Sequence, residues 1–517
     1  MTEGLDSQKL GAPEGSGPQE EQAPTAGYSL RALLRSSVLY LSGDLGLKLI
    51  SFFMVPIYTR TLTPDDYGII GFASSLINVL SPIVGLGLIS SLPVLYYSYH
   101  GEERSRLISS TVNFTFLYSL AITIIILIFG QPVFSRFAGA ISFNPYIVLP
   151  LITLFLTTFY YLPTGIFNMQ ERAVAYSTYS LSLALVAVGA NILLVVVLRW
   201  GALGVLWANL LAGAVGMLVA LLVIRPFYIP TMQRKKVREI LSLSLPTLPH
   251  LLSSTIWRSA DRFFLAGLAT LAATGIYSLA MTVSSLVLMV LNGALTALSP
   301  HFYRRANADD PTLPGDWARL CTLYIFAGVW VSLGLAIMST EVIHILAPPK
   351  YYGTIPLLPV LVLGQALTGL YWLLSPGIGY KRKMWVYVVA SFPAMAVNLL
   401  LNSVLVPAYG AMGAAWAMVA AAASQGLIFG YFSLRFYPVP YEYRQIAKVL
   451  LGGAFLYAIS RLPFFQSFWT GLIYKLILLA LLPLGLLAGG FFSAKEIQAG
   501  KGFLRKLAGL SPIETSN

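Results

Sequence analysis

One cysteine, four histidines and one charged residue in ten are all that 517 residues offer of the groups that build disulfides, metal centres and solvated surfaces. The single Cys321 excludes an intrachain disulfide framework and a thiolate metal cluster. His100, His250, His301 and His344 are too dispersed along the chain to give a metal site local support. Charged residues fall well below the quarter or so that a soluble domain carries. Acidic residues are scarcer still, 20 against 33 basic, for a net charge of +13. That excess sits in short clusters between apolar runs, with no basic domain or groove-binding fold, so no nucleic-acid partner is expected. A nucleotide-binding loop in a soluble domain and a nucleophile–base arrangement are also missing. The chain therefore reads as a non-enzymatic protein without a cofactor.

What is present is hydrophobic length. Apolar residues make up 57% of the chain, and the expectation is an all-α polytopic membrane protein. About 14 transmembrane helices recur from 31–58 to 471–492, each near the ~20 residues a bilayer core requires except the short thirteenth at 446–460. Residues 1–27 are rich in Gly, Pro, Glu and Gln and read as a disordered cytoplasmic tail. The second helix is expected as one piece over 67–98. If the loops alternate in side, 24 of the 33 basic residues fall on one side, six on the other and three inside helices. By the positive-inside tendency, both termini are placed in the cytoplasm of a bacterial inner membrane.

The chain also repeats itself. Tyr67-Gly68-Ile69-Ile70-Gly71 resembles Thr274-Gly275-Ile276-Tyr277-Ser278, and Gly201-Ala202-Leu203-Gly204 resembles Gly410-Ala411-Met412-Gly413. Equivalent segments are six helices apart, so the repeats are parallel, related by an axis along the membrane normal. The expected organisation is a six-helix lobe at 28–225, a basic inter-lobe linker at 226–241, a second six-helix lobe at 242–435, two peripheral helices at 436–495 and a tail at 496–517. The linker, with Arg234, Lys235, Lys236 and Arg238, reads as an amphipathic helix lying on an anionic leaflet, or as a hinge between the lobes.

Five ionisable residues interrupt the apolar segments: Asp44 and Lys48 in the first, and Arg258, Asp261 and Arg262 in the seventh. A charge at the bilayer centre costs roughly 2.5–3.5 kcal/mol on insertion scales, so such residues face a bundle interior or an aqueous cavity. Lys48, Arg258 and Arg262 suit a phosphate group, through directed hydrogen bonds from the guanidiniums and a compact charge from the lysine. Asp44 and Asp261 are expected to neutralise and orient these bases, with proton coupling as the sharper role. The alternative for all five is a set of interhelical salt bridges. Asn78, Gln365, Tyr371 and Trp372 are candidates for lining a carbohydrate path, against an equal expectation of interhelical packing.

The order of several local features resembles a known family. Pro56-Ile57-Tyr58-Thr59-Arg60 ends the first helix, Asp66-Tyr67-Gly68 enters the second, and Ala260-Asp261-Arg262 precedes Gly275-Ile276-Tyr277. Together with the fourteen-helix pattern, they look like the bacterial polysaccharide flippases of the multidrug/oligosaccharidyl-lipid/polysaccharide exporter superfamily, over roughly 30–495. The polar N-terminal tail departs from that pattern. The resemblance implies alternating access that carries an undecaprenyl-diphosphate-linked oligosaccharide to the outer leaflet, driven by membrane potential, H+ or Na+. It adds Arg60 to the diphosphate-binding residues and implies partners among membrane lipids and polysaccharide polymerase or export machinery. Alternatives are an ion-coupled drug exporter, a flippase of lipid-linked peptidoglycan precursor, and a non-transporting scaffold for glycan assembly.

Overall fold

The computed structural model describes residues 52–137, 139–462, 468–494 and 496–498. Asp44, Lys48, the N-terminal tail and most of the C-terminal tail lie outside them. The described chain is helical from end to end, as lipid demands of a backbone that has to satisfy its own polar groups.

The described part of the first crossing, α1 (52–61), turns sharply into α2 (Pro64–Gly85). The sequence dictates this turn. Thr63 caps α2 by accepting from Asp66 N at 3.1 Å, Asp66 Oδ2 accepts from Thr63 N at 3.1 Å, and Pro64 takes the first helical position, where its missing N–H costs nothing. The second crossing is not one piece, which corrects the expectation of a single helix over 67–98. Leu86 and Gly87 both take left-handed backbone, φ 49° and 64°, and α3 (Leu88–Tyr96) starts in a new direction. Gly87 takes this backbone without a Cβ penalty, whereas Leu86 adopts it with a side chain.

Then come α4 (Gly101–Phe129), the short α5 (Gln131–Phe137) and α6 (Phe143–Tyr146), α7 (Val148–Met169), α8 (Ala173–Asn191) and α9 (Gly201–Ile224). A connecting stretch leads to α10 (Arg234–Ser244) and on to α11 (Leu248–Leu268) and α12 (Leu271–Asn307). The remainder is α13 (Leu313–Ile337), α14 (Ser339–Leu346), α15 (Thr354–Leu373), α16 (Ser375–Tyr380), α17 (Trp385–Phe436), α18 (Tyr443–Ser460) and α19 (Phe468–Ala488). Ten of the described helical segments are long and apolar enough to cross a membrane. One of these, α17, is two crossings: it runs 52 residues but reverses at Gly410, φ 55° and ψ −132°. With α11 and α18 the described crossings number thirteen, beside the described helix α1.

The sequence repeat appears as matched geometry. Gly201 and Gly410 both take positive φ, 59° and 55°, where the sixth helix of each repeat begins. Thr63 and Thr270, 207 positions apart, each cap the helix that follows. Those two helices, α2 and α12, meet backbone to backbone. A Cβ on Gly68 would collide with the carbonyl of Leu271, and one on Gly275 with the carbonyl of Pro64, which are equivalent pairs exchanged across the repeat. The residues C-terminal to this contact belong to a polar cavity.

The linker is bound to the first repeat. Ser109 Oγ and Ser110 Oγ on α4 accept from the backbone amides of Ile229 and Gln233 at 2.9 and 3.0 Å. Within α10, Arg234, Lys235 and Arg238 face outward, whereas Lys236 is buried, 2.9 Å from Glu103 and with its ammonium 3.2 Å from the centre of the Tyr99 ring. Tyr99 also donates to Glu239 Oε2 at 2.7 Å. One of the four linker cations is thus committed to protein. On the other flank, Arg319 of α13 reaches Glu442 at 3.1 Å and Glu496 at 2.6 Å, and Lys475 of α19 pairs with Glu341 at 2.8 Å. These contacts hold α18 and α19 against the second repeat.

Gly68→Ala is expected to lower thermal stability by about 1–3 kcal/mol, the usual cost of overpacking a tight contact. Gly293→Ala, also on α12 but with nothing within 4 Å of the added methyl, is expected to be neutral or slightly stabilising. Melting of the purified protein in detergent compares the two.

Candidate functional site

Below the α2–α12 contact the two helices leave a polar cavity of about 460 Å³. α11 contributes Ser254, Thr255, Arg258, Ser259 and Arg262; α12 contributes Met281, Thr282, Ser285 and Leu288; Asn78 and Gln365 come from α2 and α15. Helical geometry explains the selection. Ser254, Arg258 and Arg262 recur every fourth residue on one face of α11, and Met281, Ser285 and Leu288 share a face of α12 through steps of one turn.

Arg262 occupies the apex. Its Nε donates to Ser278 Oγ and its Nη1 to Ser75 Oγ, each at 3.3 Å, so one guanidinium joins a hydroxyl from each of the touching helices. Gly71 makes room for this: a Cβ there would run into Ser278 Oγ. Arg258 lies one turn away, exposed to the cavity, with no hydrogen bond or ion pair to any described residue. Among the described residues the lining carries two guanidiniums and no carboxylate. Gln365 adds an amide whose contact is Met281 Sδ at 3.8 Å. The chemistry on offer is recognition of an anion by directed N–H donors, beside hydroxyls and amides suited to neutral polar groups.

Asp261 faces the other way. It is fully buried between α11, α12 and α17, where Oδ2 accepts from Tyr277 at 2.5 Å and Oδ1 accepts from Asn398 and Asn402 at 3.0 and 2.8 Å. It forms no ion pair with Arg258 or Arg262, and among the described residues no salt bridge involves any of the three. Sequence reasoning expected Asp261 to neutralise the arginines. The three-residue spacing from Arg258 would allow a pair, but the side chain turns instead to the donors of α12 and α17, Tyr277, Asn398 and Asn402. A group of three or more His, Cys, Asp or Glu side chains able to hold a metal is not found among the described residues.

The other sequence candidates separate in the same way. Asn78 and Gln365 line the cavity. Tyr371 does not: it packs edge-on to Phe429 with ring centres 4.6 Å apart, and also against Tyr387. Trp372 packs among partly buried hydrophobic residues. Arg60 is exposed at the end of α1 and is not a lining residue. Its neighbours are the ones engaged: Thr59 Oγ1 donates to Leu346 O at 2.6 Å, while Lys350 Nζ and Tyr351 OH donate to Leu62 O at 2.6 and 3.2 Å. The loop after α14 therefore clasps the α1–α2 turn. Sequence reading missed Ser254, Thr255, Ser259, Ser75, Ser278 and Asn402. Ser254 and Asn402 were signalled by a four-residue spacing from Arg258 and Asn398, and Thr255 and Ser259 by a three-residue spacing from Arg258 and Arg262; Ser75 and Ser278, on α2 and α12, carried no such signal.

A family model described as polysaccharide biosynthesis protein matches residues 33–305. No curated protein matches in sequence. Among solved structures, the chain is similar to the lipid II flippase MurJ in an inward closed conformation, with a TM-score of 0.71 and 16% identity over 88% of this chain and 100% of that one. It is also similar to an inward-facing multidrug resistance transporter of the MATE family and MOP superfamily, with a TM-score of 0.61 and 14% identity over 80% and 99%. A third likeness is to the MATE multidrug transporter DinF-BH, with a TM-score of 0.56 and 15% identity over 81% and 98%. At these identities the likeness establishes the fold.

The two arginine-cluster roles make opposite demands on stability. Arg258→Ala removes an exposed side chain without a partner among the described residues and is expected to change unfolding free energy by no more than about 0.5 kcal/mol. Asp261→Ala strands three buried donors and is expected to cost about 1–3 kcal/mol or more. Thermal melts of both variants beside the parent check this.

Proposed function

The chain belongs to the polysaccharide biosynthesis protein family, and from that premise we propose that it flips an undecaprenyl-diphosphate-linked oligosaccharide from the inner to the outer leaflet of the bacterial cytoplasmic membrane. The observation that carries this reading is Arg258: a cation without a hydrogen-bond or ion-pair partner among the described residues, in a cavity whose described lining holds a second guanidinium and no carboxylate. A diphosphate is the complementary group. Neutral sugars find hydroxyl and amide partners in Ser254, Thr255, Ser285, Asn78 and Gln365.

The direction of transport follows from placing the more basic loops inside. The α2–α12 contact and the clasp between the α1–α2 turn and the loop after α14 then lie toward the outer leaflet, and the cavity belongs to a state closed on that side. In alternating access the diphosphate head enters from the cytoplasm, Arg258 and Arg262 replace part of its hydration, and the lipid tail stays in the bilayer. Release outside requires the α2–α12 contact to open. Two lobes, 28–225 and 242–435, moving about the linker are the mechanical reading, supported by the exchange of equivalent contacts at Gly68 and Gly275. Net charge crossing the membrane couples the step to the potential at about 2.3 kcal/mol per charge per 100 mV. For proton coupling the candidate is Asp261, a buried carboxylate whose partners are neutral donors rather than a cation. Asp44 and Lys48 remain candidates in the first helix, and polymerase or export machinery remains a candidate partner.

A second reading, a lipid-linked peptidoglycan precursor as cargo, is favoured by the likeness to MurJ, and the same diphosphate chemistry would serve it. An organic cation fits worse, because both embedded charges of the cavity are positive.

Proteoliposomes carrying fluorescent undecaprenyl-diphosphate oligosaccharide, read by the fraction accessible in each leaflet, test the proposal. The parent protein is expected to equilibrate the leaflets, Arg258→Ala to slow this roughly 10- to 100-fold, and Arg258→Lys to fall between. A scaffold would leave the lipid where it was inserted. A folded Arg258→Ala protein that flips at the parental rate would remove the basis of the reading, and faster movement of a peptidoglycan precursor would reassign the cargo.

A further inference from the structure

A second concave site lies away from the central cavity, between α4, α7, α9 and the start of the linker. Two adjoining pockets of about 400 and 390 Å³ share Asn113, Phe116 and Tyr228. The walls are apolar: Phe116 from α4, Phe159 from α7, and Met217 and Leu221 from α9. The mouth faces outward, since Phe116, Leu221 and Tyr228 are all exposed. Polar atoms on the wall are occupied with each other. Tyr228 OH donates to Asn113 Oδ1 at 3.1 Å, and Asn113 Nδ2 donates to Thr231 O at 3.0 Å. What remains is one charge, Arg225, exposed and lining the groove, its guanidinium without a hydrogen bond or ion pair to any described residue.

The position of that charge decides the chemistry. Arg225 follows directly on the last residue of α9, where a membrane crossing ends and headgroups begin. The outward-facing Arg234, Lys235 and Arg238 of α10 follow in the same linker and share its sign. An apolar slot that ends in an unpaired guanidinium at headgroup level complements a chain-bearing anion, and basic pockets at helix ends are known to take anionic lipid heads. We propose that this groove holds one acyl chain of an anionic phospholipid, with its phosphate on Arg225. Because Tyr228 and Thr231 of the linker form part of the wall, the bound lipid becomes part of the packing that holds the linker to α4. The lipid is a resident of the fold, distinct from transported cargo, and nothing in its recognition depends on the central cavity.

The test is a titration of the full-length, delipidated protein in detergent with phosphatidylglycerol. Phosphatidylcholine of the same chains, inorganic phosphate and undecaprenyl phosphate run in parallel, with the melting temperature and native mass spectrometry as readouts. Phosphatidylglycerol is expected to bind saturably and raise the melting temperature, with phosphatidylcholine and phosphate inert. Arg225→Ala is expected to weaken binding roughly tenfold, the lower end for a charge-assisted hydrogen bond. Arg225→Lys should retain most of it, and Leu221→Trp should obstruct the slot while keeping the charge. Arg258→Ala should bind phosphatidylglycerol like the parent. Equal responses to the two phospholipids, or parental affinity in Arg225→Ala, would overturn the proposal. Tighter, Arg225-dependent binding of undecaprenyl phosphate would overturn it in favour of a cargo-tail site.

Discussion

The contact of α2 with α12 at Gly68 and Gly275 is the constraint from which the rest of the site follows. Two parallel helices with ordinary side chains keep their axes 8–10 Å apart. Here each glycine lets the carbonyl of the facing helix take the place of a Cβ, at Leu271 and at Pro64. Lipid offers no hydrophobic force to drive such a contact, so small residues and interhelical hydrogen bonds do so. The crossing sits near the N-terminal ends of both helices, and with larger residues farther along they have to diverge. The cavity is the space left by that divergence, and Arg262, bonded to Ser75 and Ser278, marks the point where it begins.

Next to this apex the structure separates charges that are adjacent in sequence. Asp261 is satisfied in a dry cluster by a phenol and two amides, while Arg258 and Arg262 are turned into polar space. Had the three side chains met, the carboxylate would have cancelled a guanidinium and left little field for a ligand. A buried carboxylate without a cation costs less here than it would in bare hydrocarbon, because three donors already point at it. The cluster also ties α11 and α12 to α17 through Asn398 and Asn402, so the helix that presents the arginines is fixed from behind.

Much of this was legible in the residues, unevenly and for identifiable reasons. The repeat of Gly68 and Gly275 stands out at an offset of 207 because a backbone contact tolerates only one residue type. The embedded arginines stand out because lipid makes charge rare. Direction was harder: one helix fixes the relative azimuth of Arg258, Asp261 and Arg262, but the azimuth that faces a cavity is set by partner helices far away in sequence. Tyr371 and Trp372 were ambiguous for the same reason, since an aromatic on a membrane helix serves a pathway and a packing cluster equally well. The break at Leu86 and Gly87 was visible only as two glycines in an apolar run. The attachment of the linker, through Lys236 with Glu103 and Tyr99 with Glu239, joins positions more than a hundred residues apart and had no local signature.

The state of Arg258 argues against a purely architectural role. An arginine kept to hold helices together is normally paired, because its desolvation is recovered only through close partners. Among the described residues Arg258 has none, and its side chain opens onto the cavity. That arrangement leaves unsatisfied donors available to an anion. The 3.3 Å bonds of Arg262 are long for charged donors, which commonly sit at about 2.7–2.9 Å from a strong acceptor, so a phosphate oxygen competes well with both serines. An anion that drew Arg262 from Ser75 and Ser278 would remove the guanidinium bridge across the apex, leaving the Tyr67–Thr282 hydrogen bond between the two helices. Binding in the cavity and loosening of the α2–α12 contact are thereby linked through a single guanidinium.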